Sequence, residues 1–170
     1  MKKAKPVIGI VIGSDSDFDL ALGAVKVLKD FLIPFQVNVI SAHRDTEGCL
    51  SYAKSAQSKG LKIIIAMAGM AAHLAGVLSA NTTLPVIGVP LNRSGLGGLD
   101  ALLSTVQMPS GIPVATVAVD NASNAAHLAI RILALENEEI NLKLIQFQHK
   151  MKSDIVTKSL KVQERVQHEN

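Results

Sequence analysis

Five short runs rich in Val and Ile alternate along the chain with longer stretches whose apolar residues recur at helical spacing. This alternation limits the fold more than any other feature, because strand–helix–strand units pair their strands in parallel and lay the helices on the faces of the sheet. The central runs are nearly continuous in Val and Ile, as expected for strands buried on both faces. The pattern predicts strands at 7–12, 36–40, 62–66, 85–89 and 113–119.

The stretches between these runs predict helices at 18–30, 47–59, 71–80, 98–104 and 122–135. Strands and helices together indicate a three-layer α/β/α domain with a mostly parallel sheet. The chain has 170 residues, 48% of them apolar, which is enough for one core and too little for two ordinary domains. It contains no internal repeat and no Pro- or Ser-rich linker, so we expect a single domain.

The C-terminal stretch differs from the rest, since residues 136–170 carry six basic and six acidic side chains. Its apolar residues lie at helical spacing and predict an amphipathic helix: Ile140, Leu144, Phe147, Met151 and Ile155. We interpret residues 1–135 as an α/β catalytic domain and 136–170 as a helical extension of the same domain. The helix packs on its own domain or on a neighbouring subunit, and the sequence leaves both open. In either case we expect its apolar stripe to be buried.

The composition argues against several classes of function. A net charge of +3 without a concentrated basic stripe, and an aromatic content of only 3%, do not suit a nucleic-acid-binding surface. Cys49 is the only cysteine, so an intrachain disulfide is impossible and we expect a reducing compartment, the cytoplasm. The apolar stretch 63–80 is interrupted by His73 and two glycines, which favours a strand followed by a helix over a membrane span.

Ligands of parallel α/β sheets bind beyond the carboxyl ends of the strands, so the residues directly after each predicted strand are candidates for a site. The first strand is followed by residues 13–17, Gly-Ser-Asp-Ser-Asp, which lead directly into a helix. Free N–H groups and the positive end of the helix dipole suit a phosphate there. Ser and Asp are also the preferred capping residues of helices. The segment therefore leaves phosphate binding and plain capping open.

The second predicted strand is followed by residues 41–44, Ser-Ala-His-Arg. An imidazole titrates near neutral pH and a guanidinium pairs with phosphate through two hydrogen bonds, so His43 beside Arg44 indicates a proton carrier next to an anion contact. A histidine with a purely structural role is the alternative. His43 and His73 have no Cys or carboxylate at ligand spacing, so we expect no metal.

Small side chains dominate residues 68–74, which follow the third strand. They would let a planar ligand lie against the backbone, or let the next helix pack tightly on the sheet. The loop 90–98 follows the fourth strand and contains Arg93 as a possible anion contact. Cys49 falls on the apolar side of its helix, which favours core packing over a nucleophilic role.

Taken together, five segments resemble the N5-carboxyaminoimidazole ribonucleotide mutase family of purine biosynthesis: residues 13–17, 41–44, 71–74, 85–90 and 107–114. They occur in matching order and spacing, and the resemblance extends from Val7 to the region of Leu135. It implies a flavodoxin-like fold and a homo-octamer with sites near the subunit contacts. It also implies an enzyme without a cofactor that interconverts N5-carboxyaminoimidazole ribonucleotide and 4-carboxy-5-aminoimidazole ribonucleotide.

The resemblance further implies roles for residues at matching positions. His43 matches the essential histidine of the family and is therefore the expected acid–base catalyst. Ser14 and Asp17 match positions that hold the ribose phosphate part of the substrate. Arg44 matches the arginine that contacts the phosphate.

Two further loops match the family in the same way. Ser41 and Ala42 correspond to the loop beside the imidazole. The loop that closes over the carboxylate corresponds to five residues: Gly69, Ala71, Ala72, His73 and Leu74. The chain departs from the family pattern here, since Met67 and Met70 stand where small residues are usual and Ala75 stands where a proline is usual.

Two other functions remain as alternatives. The related carboxylase class acts on aminoimidazole ribonucleotide and free CO2. That class tends to have lysine at the position of Arg44 and to lack His73, so both residues favour the mutase. A non-enzymatic flavodoxin-like binding or receiver module is the third possibility. A receiver would need an acidic cluster around a strand-end Asp, whereas the strand ends here carry Ser, His, Arg and Gly.

Overall fold

The computed structural model of the protein describes residues 5–169 and contains a five-stranded sheet. The strands are β1 Ile8–Ile12, β2 Phe35–Val39, β3 Ile63–Gly69, β4 Val86–Leu91 and β5 Ala115–Thr116. All neighbouring strands pair in parallel, in the order β2-β1-β3-β4-β5. This is the strand order of the flavodoxin-like fold, so the predicted fold class is confirmed.

The inner strand β1 is buried along its whole length. β1 pairs with β2 on one side and β3 on the other, so Ile12 lies opposite both Val39 and Met67. Two backbone hydrogen bonds continue this pairing past the strand ends. The Ile40 N–H donates to the Ile12 carbonyl (2.9 Å) and the Gly13 N–H donates to the Met67 carbonyl (3.1 Å). The loops that follow these three strands therefore begin side by side at the carboxyl ends of the strands.

Six α-helices accompany the sheet in the described part of the chain. They are α1 Phe18–Asp30, α2 Thr46–Ala56, α3 Leu74–Ser79, α4 Leu99–Val106, α5 Ala122–Ala134 and α6 Glu138–His168. Residues of α2 and α3 pack with Val11 and Ile64 of the sheet in one core cluster. Because the crossovers from β1 to β2 and from β2 to β3 run in opposite directions, right-handed connections place α1 on the other face.

Most element boundaries differ from the sequence prediction by one to three residues, such as the ends of α2 at Ala56 and β3 at Gly69, and two of the differences have a clear structural cause. α3 begins at Leu74 and not at residue 71, because Met70 has a positive φ of 56° that turns the chain between β3 and the helix. β5 is much shorter than the predicted 113–119. It lies at the edge of the sheet with β4 as its single neighbour, and Pro113 has no N–H to extend the ladder.

The chain divides into two compact units, residues 1–130 and 131–170. Within the second unit, α6 has the amphipathic stripe that the sequence predicted, but the single chain buries it only in part. Leu144 is buried, whereas Met151 and Ile155 are 44% and 64% exposed. No helix in the described part of the chain combines the length and the apolar character that a membrane span requires.

The close approach of α4 to β4 gives a test of the packing. An added Cβ at Gly88 would collide with the Thr105 methyl group of α4 and lie 2.8 Å from Val114 Cγ1. We expect Gly88→Ala to lower the free energy of unfolding by about 1–3 kcal/mol, the usual cost of overpacking a tight core, in urea denaturation. Gly95→Ala is the matched control, since a Cβ there meets nothing within 4 Å. Equal stability of the two variants would contradict the expectation.

Candidate active site

A cleft of about 400 Å³ opens beyond the carboxyl ends of β1, β2 and β3. All site residues predicted from the sequence line it except one: Ser14, Asp17, Ser41, Ala42, His43, Arg44, Gly69, Ala71, His73 and Leu74. The exception is Ala72, whose side chain is buried instead. Parallel pairing thus brings residues from four separate loops into one cavity, because Arg93 of the loop after β4 lines it as well, as expected for ligand sites of this fold.

The loop after β1 caps its own helical turn, a single 3-10 turn at Asp15–Asp17. The Ser16 N–H donates to the Ser14 hydroxyl oxygen (3.4 Å), and the Ser14 hydroxyl donates to the Asp15 carboxylate (3.0 Å). Capping, one of the two interpretations left open by the sequence, is therefore present. Ser14 and Ser16 also line the cleft, so capping does not remove the segment from contact with a ligand.

Arg44 is held between the loops that follow β1 and β2. Its Nε donates to Ser41 Oγ and its Nη2 donates to the Gly13 carbonyl, both at 3.3 Å. A guanidinium has five N–H donors, so these two bonds orient the group and leave further donors for an anion in the cleft. The arrangement provides oriented positive charge, as phosphate recognition requires.

His43 and His73 form a hydrogen-bonded pair in the cleft. His43 Nε2 lies 2.7 Å from His73 Nδ1, and the two rings meet edge to face with 86° between their planes. One of these nitrogens must carry a hydrogen and the other a lone pair, so at least one of the two rings is neutral while the bond exists. The sequence placed both histidines after strands, but it did not predict their contact. The strand order of the fold could have indicated this contact, because β2 and β3 lie on either side of β1 and the two histidines follow them.

Arg93 was predicted only as a possible anion contact, and it forms an ion pair within the protein. Its Nε donates to Asp17 Oδ1 (2.9 Å) and its Nη2 donates to the Ser16 carbonyl (2.6 Å). Asp17 is only 5% exposed, so the pair compensates a carboxylate that is nearly removed from water. No local motif indicates a pairing between residues 76 positions apart.

The two methionines that depart from the family pattern have different environments. Met67 belongs to β3 and is fully buried in the core, whereas Met70 is 59% exposed and lines the cleft. Ala75 is buried in α3. Of these three departures, Met70 is therefore the one that can touch a ligand.

Cys49 is unsuited to nucleophilic chemistry. Its side chain is fully buried in the core cluster that contains α2. Burial, and to a lesser extent the negative charge of Asp45, raises the pKa of the Cys49 thiol. The reactive thiolate is therefore scarce at neutral pH, and core packing is confirmed for this residue. Among residues 5–169, no three His, Cys, Asp or Glu side chains lie close enough together to share a metal ion.

The burial of Cys49 makes its reactivity a measure of the intact core. We expect iodoacetamide at about pH 8 to alkylate the folded protein roughly a hundredfold more slowly than the protein unfolded in urea, because the folded thiol is both inaccessible and protonated. The rate is followed by the mass of the intact chain. Equal rates in the two states would show that the thiol is accessible in the folded protein.

Comparison with known proteins relates the chain to one family and to relatives named as mutases and as carboxylases. A family model described as AIR carboxylase matches residues 7–154. The N5-carboxyaminoimidazole ribonucleotide mutase of Pyrococcus horikoshii is 51% identical over 96% of this chain and 93% of its own length. The phosphoribosylaminoimidazole carboxylase of Saccharomyces cerevisiae is 49% identical over 94% of this chain, which spans 28% of that protein. The crystal structure of Treponema denticola PurE matches with a TM-score of 0.82 and 30% identity over 89% of this chain and 95% of that one.

Proposed function

The chain belongs to the AIR carboxylase family, and from this premise we propose that it is an N5-carboxyaminoimidazole ribonucleotide mutase. It is an isomerase of purine biosynthesis, which moves the carboxylate of its substrate from N5 to C4 to give 4-carboxy-5-aminoimidazole ribonucleotide. The observation on which this conclusion depends is the 51% identity to a mutase over 96% of the chain. That span includes every strand and loop that forms the cleft.

We assign the ribose phosphate of the substrate to the end of the cleft formed by the loop after β1. The Arg44 guanidinium has donors to spare and is tied to this loop through the Gly13 carbonyl, and the Ser14 hydroxyl would turn its single hydrogen from the Asp15 carboxylate to the phosphate. Donors of this kind suit a phosphate. The Asp17 carboxylate only accepts hydrogen bonds, so it suits the ribose hydroxyls rather than the phosphate.

The carboxylate is transferred in two steps. The bond between N5 and the carboxylate breaks, which gives aminoimidazole ribonucleotide and CO2, and C4 then attacks the same CO2 molecule. Holding both reactants in one cleft replaces a fresh encounter with a reaction between neighbours, which is a large kinetic advantage. The side chains of Ala42, Ala71 and Leu74 line the cleft and are small or apolar, so they suit retention of CO2 beside the imidazole ring.

Proton transfer is assigned to His43. It donates a proton to the nitrogen as the carboxylate departs, and after C4 has attacked CO2 it removes the C4 proton and restores the aromatic ring. His73 supports both steps because its Nδ1 lies 2.7 Å from His43 Nε2. A neutral His73 can accept the N–H of the His43 imidazolium and stabilise its charge. His43 can then serve as acid and as base without reorienting.

A carboxylase that uses free CO2 is the second candidate. The observation in its favour is the 49% identity to the yeast carboxylase, which is close to the identity with the mutases. Arg44 and His73 both line the cleft, and these are the two positions at which the sequence favours the mutase. We therefore rank the carboxylase second.

The assembly and location of the enzyme are part of the same proposal. We propose a cytoplasmic homo-octamer that works without a metal or an organic cofactor. In this assembly residues 1–135 form the catalytic domain and residues 136–170 its helical extension. The exposed apolar residues of α6, including Met151 and Ile155, support a contact between subunits, because a soluble chain rarely leaves such a stripe in water.

The first test concerns His43. We expect His43→Asn to keep the fold and the binding of the substrate but to lose turnover by about a hundredfold or more, since the amide cannot carry a proton at neutral pH. Turnover is followed by absorbance and binding by calorimetry. His149→Asn, in the exposed part of α6, is the control and should retain full activity. Turnover of His43→Asn within threefold of the wild type would exclude the assigned role.

The second test separates the mutase from the carboxylase. N5-carboxyaminoimidazole ribonucleotide labelled in its carboxylate is supplied in unlabelled bicarbonate buffer, and the label in the product is counted at early times. Because a mutase holds the released CO2 beside C4, we expect most of the label to be retained. Complete loss of the label, with faster turnover of aminoimidazole ribonucleotide at high bicarbonate, would establish the carboxylase instead.

A further inference from the structure

Arg93 extends from the loop after β4 to the loop after β1, and a missing side chain makes room for it. Gly69, the last residue of β3, lies against the aliphatic part of Arg93. A Cβ added at Gly69 would lie 2.6 Å from Arg93 Cγ and 2.7 Å from Arg93 Cβ. These are distances that real Cβ atoms essentially never show, so even alanine at this position would displace the arginine.

The backbone beside Arg93 is fixed by hydrogen bonds to its neighbours. The Asn92 N–H donates to the Asp120 carboxylate (2.9 Å), and the Asp120 N–H donates to the Pro90 carbonyl (2.9 Å). Pro90 belongs to β4, so this network ties the start of the loop to the sheet. Arg93 therefore projects from an anchored backbone, and its guanidinium can hold another loop in place.

The charge of Asp17 is unfavourable in this cleft unless it is compensated. The Asp17 side chain is 7% exposed and its partner Arg93 is 35% exposed. A carboxylate this far from water is costly without a partner. The proposed substrate carries a phosphate and a carboxylate, so an unpaired Asp17 would also repel it. The ion pair removes this repulsion and orients the carboxylate.

We propose that Arg93 is a positioning residue for the ribonucleotide and that Gly69 provides the space it needs. Arg93 acts through Asp17 and the Ser16 carbonyl, and it holds the loop after β1 in the conformation that receives the ribose phosphate. The inference rests on the proposed function; it adds a role for Arg93 and gives Gly69, which also lines the cleft, a second one. Because both bonds of Arg93 go to that loop and neither goes to His43 or His73, it affects substrate binding and not the proton-transfer step.

The test compares kcat and KM for N5-carboxyaminoimidazole ribonucleotide in the wild type and four variants. We expect Arg93→Ala to raise KM about tenfold or more and to leave kcat within about threefold. This pattern results when a variant loses an interaction that is equally strong in the ground state and the transition state. Gly69→Ala should shift KM in the same direction, because it displaces the same side chain. Arg93→Lys keeps the charge but not the planar fork, so its KM should be intermediate. Gly95→Ala, in the same loop as Arg93 and with open space around its Cβ, should match the wild type.

The outcomes separate this inference from the proposed function. A wild type that turns over the substrate, with KM unchanged in both Arg93→Ala and Gly69→Ala, would overturn the inference and leave the function standing. A wild type without turnover would refute both. If Arg93→Ala does not fold by circular dichroism, Arg93→Lys and Gly69→Ala decide, and unchanged KM in both overturns the inference. A fall in thermal stability with KM unchanged would likewise indicate a merely structural role and overturn it.

Discussion

The cleft depends on the parallel hydrogen bonding of β1 to β2 and β3. A parallel ladder sets the ends of neighbouring strands at the same level, so the residues that follow them emerge together. The register that pairs Ile12 with both Val39 and Met67 is thus what brings Ser14, His43 and the loop after β3 into one cavity. A shift of one residue in either pairing would move the side chains of that strand to the opposite face and disperse the site.

Most of the fold could be predicted from the sequence because buried parallel strands and amphipathic helices leave periodic patterns. Two of the boundary errors have identifiable causes. Met70 is not a glycine, so nothing in the sequence marked its left-handed turn before α3. The short β5 was overestimated because apolar composition continues past Thr116 although the ladder does not.

The candidate site could be predicted as a set of positions but not as a set of contacts. Strand ends place His43 and His73 in one region, yet their 2.7 Å bond depends on side-chain directions that packing determines. Arg93 shows the same limit, because its partner Asp17 lies in the loop after β1 and its space depends on Gly69 at the end of β3. Pairings between distant loops become visible only when the backbone positions are known.

The backbone bonds that continue the ladder beyond the strands affect the dynamics of the site. The Gly13 amide is bonded to a carbonyl of β3, so its exchange with solvent hydrogen requires β1 and β3 to separate inside the sheet, whereas exchange of the Ile40 amide requires only the edge strand β2 to separate from β1. The base of the first loop therefore shares the slow opening of the sheet, whereas an exposed tip such as Met70 can move without it. A ligand can enter through local motion at the rim while the floor of the cleft stays at the stability of the folded protein.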